Sequence, residues 1–303
     1  MISAPAKTPF SGEDSTSEPF YSGSNTVSAL ASGAGFGMAF WLPTLWIFIL
    51  LFAVVFADVL PLRDPLASEF TSLKSRPSLE YWLGTDVLGR DIFSRIIHGA
   101  RISLAVGFFA PVIGMIIGLA LGMLAGYYRG AIESVIVGTM DIILAFPNIV
   151  LAMGILFFAG ADIVNLIVVL SITSIPANTR IARASSLVYA ERDFMMAARA
   201  QGASDLRILW DELLPNIVLP QLAYTLSFMS IVIMIEGSLS FLGVGIPPPT
   251  PTMGGMIAKG FPDINTDPHI TFLPAAALFL TVLSLNLIGD QLRQRFAPRG
   301  SLL

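Results

Sequence analysis

Few of the 303 residues in this sequence could carry out catalysis or hold a metal ion. Cysteine is absent, which excludes disulfide bonds, thiolate zinc sites and a thiol nucleophile. The two histidines, His98 and His269, lie in no H-E-x-x-H zinc motif, and neither has an evident nucleophilic partner. A phosphate-binding G-x-x-x-x-G-K-[ST] loop is also missing. We therefore expect no catalytic residue, no metal site and no cofactor in this chain.

Two carboxylates stand out because each lies at the edge of a long apolar stretch: Asp141 and Glu236. Ionisable groups at membrane depth are costly, and they usually face the interior of a helix bundle or a water-filled path. Asp141 and Glu236 are therefore candidates for a transport pathway. A position near a membrane interface is equally compatible with the sequence, so both placements stay open.

The composition is that of a membrane protein. Hydrophobic residues make up 54% of the chain and charged residues 13%, and the mean hydropathy is +0.76. A soluble domain carries about 25% charged residues, so an ordinary cytosolic enzyme is excluded. The net charge of −4 provides no basic field for nucleic acid.

Six stretches without Asp, Glu, Lys or Arg are long enough to cross a bilayer, which takes about 20 apolar residues. A single helix over residues 142–179 would be roughly 57 Å long, so the chain must turn at residues 160–162. We therefore expect an all-α integral membrane protein with six transmembrane helices over residues 36–57, 102–128, 142–161, 163–179, 213–235 and 270–289.

The two ends of the chain differ from these spans. Residues 1–35 are rich in Ser, Gly, Thr and Pro, which predicts a disordered tail, and residues 291–303 form a polar C-terminal tail.

The distribution of basic residues predicts the orientation in the membrane. With six spans, ten Lys and Arg residues lie on the side of both termini, against seven on the other side. The positive-inside rule therefore predicts cytosolic termini.

Four glycines at four-residue spacing mark one face of the second span. The absence of side chains there would allow another helix backbone to approach closely. Helix packing is favoured over a dedicated pore lining for Gly114, Gly118, Gly122 and Gly126.

Residues 58–101 are too polar to span the membrane. Within them, residues 91–98 place Ile92, Phe93, Ile96 and Ile97 on one helical face, and Asp91 and Arg95 at a spacing that allows an ion pair. This pattern predicts a separate helix that lies along the membrane surface.

The loop between the fourth and fifth spans predicts two short helices. Residues 194–202 form one helix that ends at Gly202, and Ser204 is suited to cap the next. Pro215 ends that second helix or kinks it into the fifth span. The second helix has an apolar stripe, formed by Leu206, Leu209, Trp210 and Leu213. This stripe could either dock to a partner protein or pack on the helix bundle of the chain itself, and both alternatives are equally compatible with the sequence.

Three segments resemble one permease family. Residues 84–95, followed by Gly99, Arg101, Ser103 and Leu104, are similar to a signature of the C-type membrane subunits of bacterial dipeptide, oligopeptide and nickel ATP-binding cassette (ABC) importers. Residues 236–249 and 141–147 resemble two further segments of these subunits. The resemblance covers most of the chain from Tyr81 onward.

The resemblance implies a cytosolic coupling loop over residues 180–212. The family's pattern is a Glu-Ala-Ala triplet, a glycine four residues later and a Leu-Pro pair. Met196 stands where Glu is usual, and Glu212 stands where an apolar residue is usual. The pattern matches Met196, Ala197, Ala198, Gly202, Leu214 and Pro215.

The family further implies the type I ABC importer permease fold in a bacterial inner membrane. Residues 36–99 would hold the first span and the loop with the surface helix, and residues 100–290 the permease domain. The expected partners are a homologous permease, two ABC ATPases, an extracytoplasmic substrate-binding protein and the lipid bilayer. Peptides are the expected cargo, and an ion-gradient-driven secondary transporter is the alternative.

Overall fold

The computed structural model describes residues 37–296, so the predicted tail at residues 1–35 and the last residues of the C-terminal tail lie outside the described part. The described residues form helices and no β-sheet. Short 3₁₀ turns occur at Phe70–Ser72 and Phe261–Asp263. The helices are α1 (Met38–Val55), α2 (Ile92–Tyr128), α3 (Gly130–Leu144), α4 (Asn148–Ala159), α5 (Ile163–Ala190), α6 (Asp193–Ala200), α7 (Asp205–Phe241), α8 (Met253–Gly260) and α9 (His269–Phe296).

Five helices in this part of the chain are long and apolar enough to span a membrane: α1, α2, α5, α7 and α9. The pair α3 and α4 makes a sixth if it is counted as one broken span, with a bend of 82°. The predicted all-α membrane fold is confirmed.

The predicted third span at residues 142–161 differs from the observed one. The helical segment begins much earlier, at Gly130, and is interrupted between Leu144 and Asn148. Pro147 explains the break, because proline lacks a backbone N–H and disfavours a helical conformation at the residue before it. The predicted turn at residues 160–162 is confirmed: Gly160 has a φ of +86°, and the Asp162 carboxylate caps α5.

The predicted surface helix at residues 91–98 is wrong, because these residues form the N-cap and the first turns of α2. Ile92, Ile96 and Ile97 are buried against Met253 and Ile270 of α8 and α9, so protein covers their apolar face. Asp91 caps α2 by accepting a hydrogen bond from the Ser94 N–H at 2.8 Å. Arg95 lies 3.5 Å from Asp86 and makes no ion pair with Asp91.

The loop predicted at residues 180–212 is largely helical. The structure continues α5 to Ala190, beyond the predicted end of the span at residue 179, and begins α7 at Asp205. Arg180 and Arg183 extend from this part of α5 and form ion pairs with Asp141 and Glu133 of α3. Arginine is a good helix former, so α5 continues past these two residues without a break.

The four glycines of α2 lie against α5. A Cβ atom at Gly118 would lie 2.6 Å from the Asn178 Cβ, and one at Gly122 would lie 2.5 Å from the Ala182 Cβ. Gly114 and Gly126 meet Ser174 and Ser186 of the same helix in the same way. The backbones of α2 and α5 therefore pack closely along three helical turns.

We expect that Gly122→Leu destabilises the protein, because the new side chain would overlap Ala182 and the Thr179 carbonyl. Overpacking of this kind costs about 1–3 kcal/mol or more. Gly138→Leu is the matched control, since no atom lies within 4 Å of a Cβ at Gly138. Thermal unfolding of the purified protein in detergent measures both variants. Equal melting temperatures for the two would contradict the role of this contact.

Candidate functional site

The turn between α6 and α7 forms at the residues that the sequence predicts. Helix α6 ends in a turn at Gly202, whose φ of +79° is a left-handed conformation that favours glycine. The Ser204 hydroxyl accepts a hydrogen bond from the Arg207 N–H and so caps α7. We call α6, this turn and the first part of α7, residues 193–215, the bracket.

The bracket is anchored by buried side chains. Met195, Ile208 and Leu213 are fully buried and pack with Leu119 and Met123 near the C-terminal end of α2, and with Ala182 of α5. Polar contacts add to this anchor: the Tyr127 hydroxyl donates a 2.7 Å hydrogen bond to Asp205. The bracket is therefore fixed to the same two helices that the glycines join.

The predicted apolar stripe of α7 is only partly correct. Leu209 and Leu213 are buried, whereas Leu206 and Trp210 are 67% and 62% exposed. Residues Ile208–Leu213 form a π-helical stretch, at the end of which the Leu214 N–H pairs with the Leu209 carbonyl, five residues earlier. Spacing derived for an α-helix does not hold across such a stretch. The adjacent Pro215, which lacks an N–H, lies in the α-helical turn that follows.

Four of the six coupling-loop residues are exposed: Met196, Ala197, Gly202 and Pro215. The other two, Ala198 and Leu214, are half-buried. Met196, Leu206 and Trp210 give the outer side of the bracket an exposed apolar character. The bracket thus combines a buried inner side with an outer side that the described residues leave uncovered.

Asp141 and Glu236 lie in different surroundings and do not form a common site. Asp141 is exposed on α3 and pairs with Arg180 at 2.7 Å. Glu236 is fully buried in α7. Its carboxylate accepts hydrogen bonds from the hydroxyls of Ser103 on α2, at 2.6 Å, and Ser240, at 2.9 Å. Glu236 therefore links α7 to α2 within the bundle.

A buried amide pair joins α5 to α7, and the sequence analysis did not identify it. The Gln221 side chain donates a 2.7 Å hydrogen bond to the Asn178 side-chain oxygen, and Thr225 lies close to the same oxygen. Both amides lie inside charge-free stretches, so a search for charged residues alone overlooks them. Uncharged polar residues within an apolar run are the signal that could have found the pair.

Comparisons with known proteins agree with this geometry. The sequence model of the family described as "Binding-protein-dependent transport system inner membrane component" matches residues 118–301. The glutathione transport system permease protein GsiD of Pectobacterium atrosepticum is 42% identical over 231 residues, which cover 76% of this chain and 77% of that protein. The protein of the same name from Escherichia coli is 41% identical over 256 residues, or 84% of each chain.

The chain belongs to this family of inner-membrane transport components. The resemblance to the permeases of ABC importers is thereby confirmed. The permease is accordingly a multi-pass inner-membrane protein.

The fold of the permease also agrees with a solved structure. A chain of the inward-facing MetNI methionine ABC transporter matches with a TM-score of 0.56 at 19% identity. The match covers 68% of this chain and 98% of that chain. At this identity the likeness concerns the fold alone, which is the type I ABC importer permease fold that the sequence predicts.

We expect that Met195→Ala loosens the bracket, because it leaves a cavity among buried side chains at the end of α2. Such truncations typically cost about 2–5 kcal/mol. The neighbouring Met196→Ala is the matched control, since the Met196 side chain is exposed. Thermal unfolding and protease resistance of the purified permease compare the two. A Met195→Ala variant as stable as Met196→Ala would show that the anchor does not depend on this side chain.

Proposed function

We propose that this chain is the membrane subunit of an ATP-driven importer of short peptides and forms half of the translocation pathway. A homologous permease would form the other half, two ABC ATPases would hydrolyse ATP, and an extracytoplasmic binding protein would deliver the cargo. The chain itself would catalyse no reaction. The observation that carries the proposal is the bracket, which has a buried inner side and an uncovered apolar outer side.

The bracket is suited to transmit force from an ATPase. Its buried residues contact α2 and α5, so a push on its outer side would move these helices together. Helix α2 has 37 residues and is about 55 Å long, which is enough to reach from the bracket to the other end of the bundle. In this proposal Met196, Ala197, Ala198 and Gly202 contact a groove of the ATPase, and Leu214 and Pro215 hold the bracket at the start of α7.

The orientation follows from the same proposal. The bracket faces the cytosol, because ATP is bound there, and both termini lie on the same side as the bracket. The loops that hold residues 56–91 and 242–268 then lie on the extracytoplasmic side, where the binding protein docks.

The cargo is inferred from the relatives. The similar GsiD proteins are named for the transport of glutathione, which is a tripeptide. The resemblance of the sequence to the peptide-importer permeases also implies peptides. We therefore propose glutathione or peptides of similar length as cargo.

A secondary transporter driven by an ion gradient is less well supported. It would need carboxylates that relay ions within the membrane, and Asp141 instead forms an exposed ion pair with Arg180. Glu236 is buried, but its carboxylate is held by two serine hydroxyls of the bundle.

We expect that Gly202→Arg uncouples ATP hydrolysis from transport, because it places a long charged side chain at the ATPase-facing turn. Gly160→Arg is a matched control: Gly160 also has a positive φ and open space around it, but it lies in the turn before α5. Co-purification of the ATPases and the ATPase rate per transported peptide measure the effect. Normal coupling in the Gly202→Arg variant would contradict the role of the bracket.

We expect that cells or proteoliposomes with the intact importer accumulate glutathione only while ATP is present. A protonophore that collapses the proton gradient should leave uptake unchanged if ATP is maintained. Dialanine serves as a second cargo in the same assay, to separate a tripeptide transporter from a dipeptide transporter. Uptake that stops with the protonophore and persists without ATP would favour the secondary transporter.

A further inference from the structure

Four charged side chains gather at the end of the bundle opposite the bracket. Asp86, Arg90 and Arg95 are at most 7% exposed, and Lys259 of α8 is half-buried beside them. The Asp86 carboxylate lies 2.6 Å from Nη2 of Arg90 and 3.5 Å from Nε of Arg95. Three cations therefore share a single carboxylate.

The cations have hydrogen-bonding capacity that the protein does not use. Nη1 of Arg95 donates a 2.7 Å hydrogen bond to the Pro65 carbonyl, but its Nε has no hydrogen-bond partner. Nη2 of Arg90 also lacks a well-aligned acceptor. Among residues 37–296, no carboxylate lies within ion-pair distance of the Lys259 ammonium. A buried charge without a partner is costly, so this cluster is short of negative charge.

The other acidic groups nearby are engaged elsewhere. The Asp91 carboxylate caps α2 through the Ser94 N–H. Asp263 forms a 2.7 Å ion pair with Lys74.

A cavity of about 300 Å³ opens beside these cations. Arg95 and Lys259 line it, and the segment that follows α7 forms its other wall, with Ser240, Gly243 and Gly245 among the lining residues. A small adjoining space is bounded by Asp86, Arg95 and Lys259. We call the larger space the cationic cavity. Its volume is at the lower end of the range for small-molecule sites.

We propose that the cationic cavity binds the carboxylate of the cargo peptide, with Arg95 and Lys259 as its cationic ligands. This inference rests on the proposed function, because it takes the cargo to be a peptide that enters at this end of the bundle. A carboxylate would accept charge-assisted hydrogen bonds from both cations and supply the missing negative charge. Glycines in the opposite wall leave room for the main chain of the peptide.

The position of the cavity agrees with this role. Arg95 lies in α2 and Ser240 in α7, so the cavity is formed by the two long helices whose other ends hold the bracket. Arg95 as a whole residue is 1% exposed, so a ligand must enter the cavity to reach its guanidinium. A small peptide with a terminal carboxylate fits this requirement better than a side chain on the flat surface of a large protein.

Lys259 offers a direct readout. The lysines of the chain are Lys7, Lys74 and Lys259, so amine labelling gives few products. Burial of Lys259, together with the neighbouring guanidinium groups of Arg90 and Arg95, lowers the pKa of its ammonium. A lower pKa leaves more free amine at neutral pH, and the free amine is the form that reacts.

The test labels the intact importer in lipid nanodiscs with an amine-reactive N-hydroxysuccinimide ester, without the binding protein. The probe is N-acetylglycine, which carries a free carboxylate like the end of a peptide, and N-acetylglycinamide is its neutral counterpart. Mass spectrometry follows the labelling rates of Lys259 and Lys74 at constant ionic strength. We expect N-acetylglycine to slow labelling of Lys259 by about fivefold, while the amide has no effect and Lys74 is unchanged.

Two results would overturn the inference. One is equal labelling of Lys259 with and without N-acetylglycine, or equal protection by the acid and the amide. The other comes from a separate run with the ligand-free binding protein in place of N-acetylglycine: protection by that protein and not by N-acetylglycine would assign the cations to an acidic side chain of the binding protein.

Uptake assays separate this inference from the proposed function. We expect Lys259→Gln to lower glutathione uptake about tenfold and Lys259→Arg to restore most of it, while Lys74→Gln serves as the matched control. If the wild type takes up glutathione and Lys259 is not protected, the inference fails and the proposed function stands. If N-acetylglycine protects Lys259 but neither glutathione nor dialanine is taken up, the proposed cargo is wrong and the carboxylate site stands.

Discussion

The close contact between α2 and α5 is the constraint on which the rest of the structure depends. In a bilayer no hydrophobic force drives apolar helices together, so they associate where small residues let their backbones meet. The glycines of α2 meet Ser174, Asn178, Ala182 and Ser186 of α5, which continue the same four-residue spacing on the other helix. This contact fixes the two helices that hold the bracket.

Buried polar groups extend this contact to α7. The pair of Asn178 and Gln221 connects α5 to α7, and the carboxylate of Glu236 accepts a hydrogen bond from Ser103 of α2. Hydrogen bonds within a membrane bundle are directional, so they set which faces of the three helices meet. These contacts join α2, α5 and α7, and α2 and α7 also line the cationic cavity at the other end.

Much of the fold could be predicted from local patterns. Charge-free stretches located five of the spans approximately, four-residue spacing of glycines marked a helix face, and Gly202 and Ser204 marked the turn of the bracket. One error occurred where distant segments decide. Residues 91–98 continue into α2 because α8 and α9 cover their apolar face. Another error has a local origin: a π-helical stretch over residues 208–213 interrupts the α-helical spacing of the predicted stripe, of which Leu206 and Trp210 are exposed.

The sequence by itself determined the class of the protein, its family motifs and the approximate positions of five of its spans, because these depend on composition and on short-range spacing. Only the tertiary structure decided which charges are paired. Asp141 looked similar to Glu236 in the sequence, yet one lies in an exposed ion pair and the other in a buried hydrogen-bonded site. Asp86 and Lys259 are far apart in the chain, and only the packing of α8 against α2 brings them to one cavity. Electrostatics depends on distance in space, which a linear sequence does not contain.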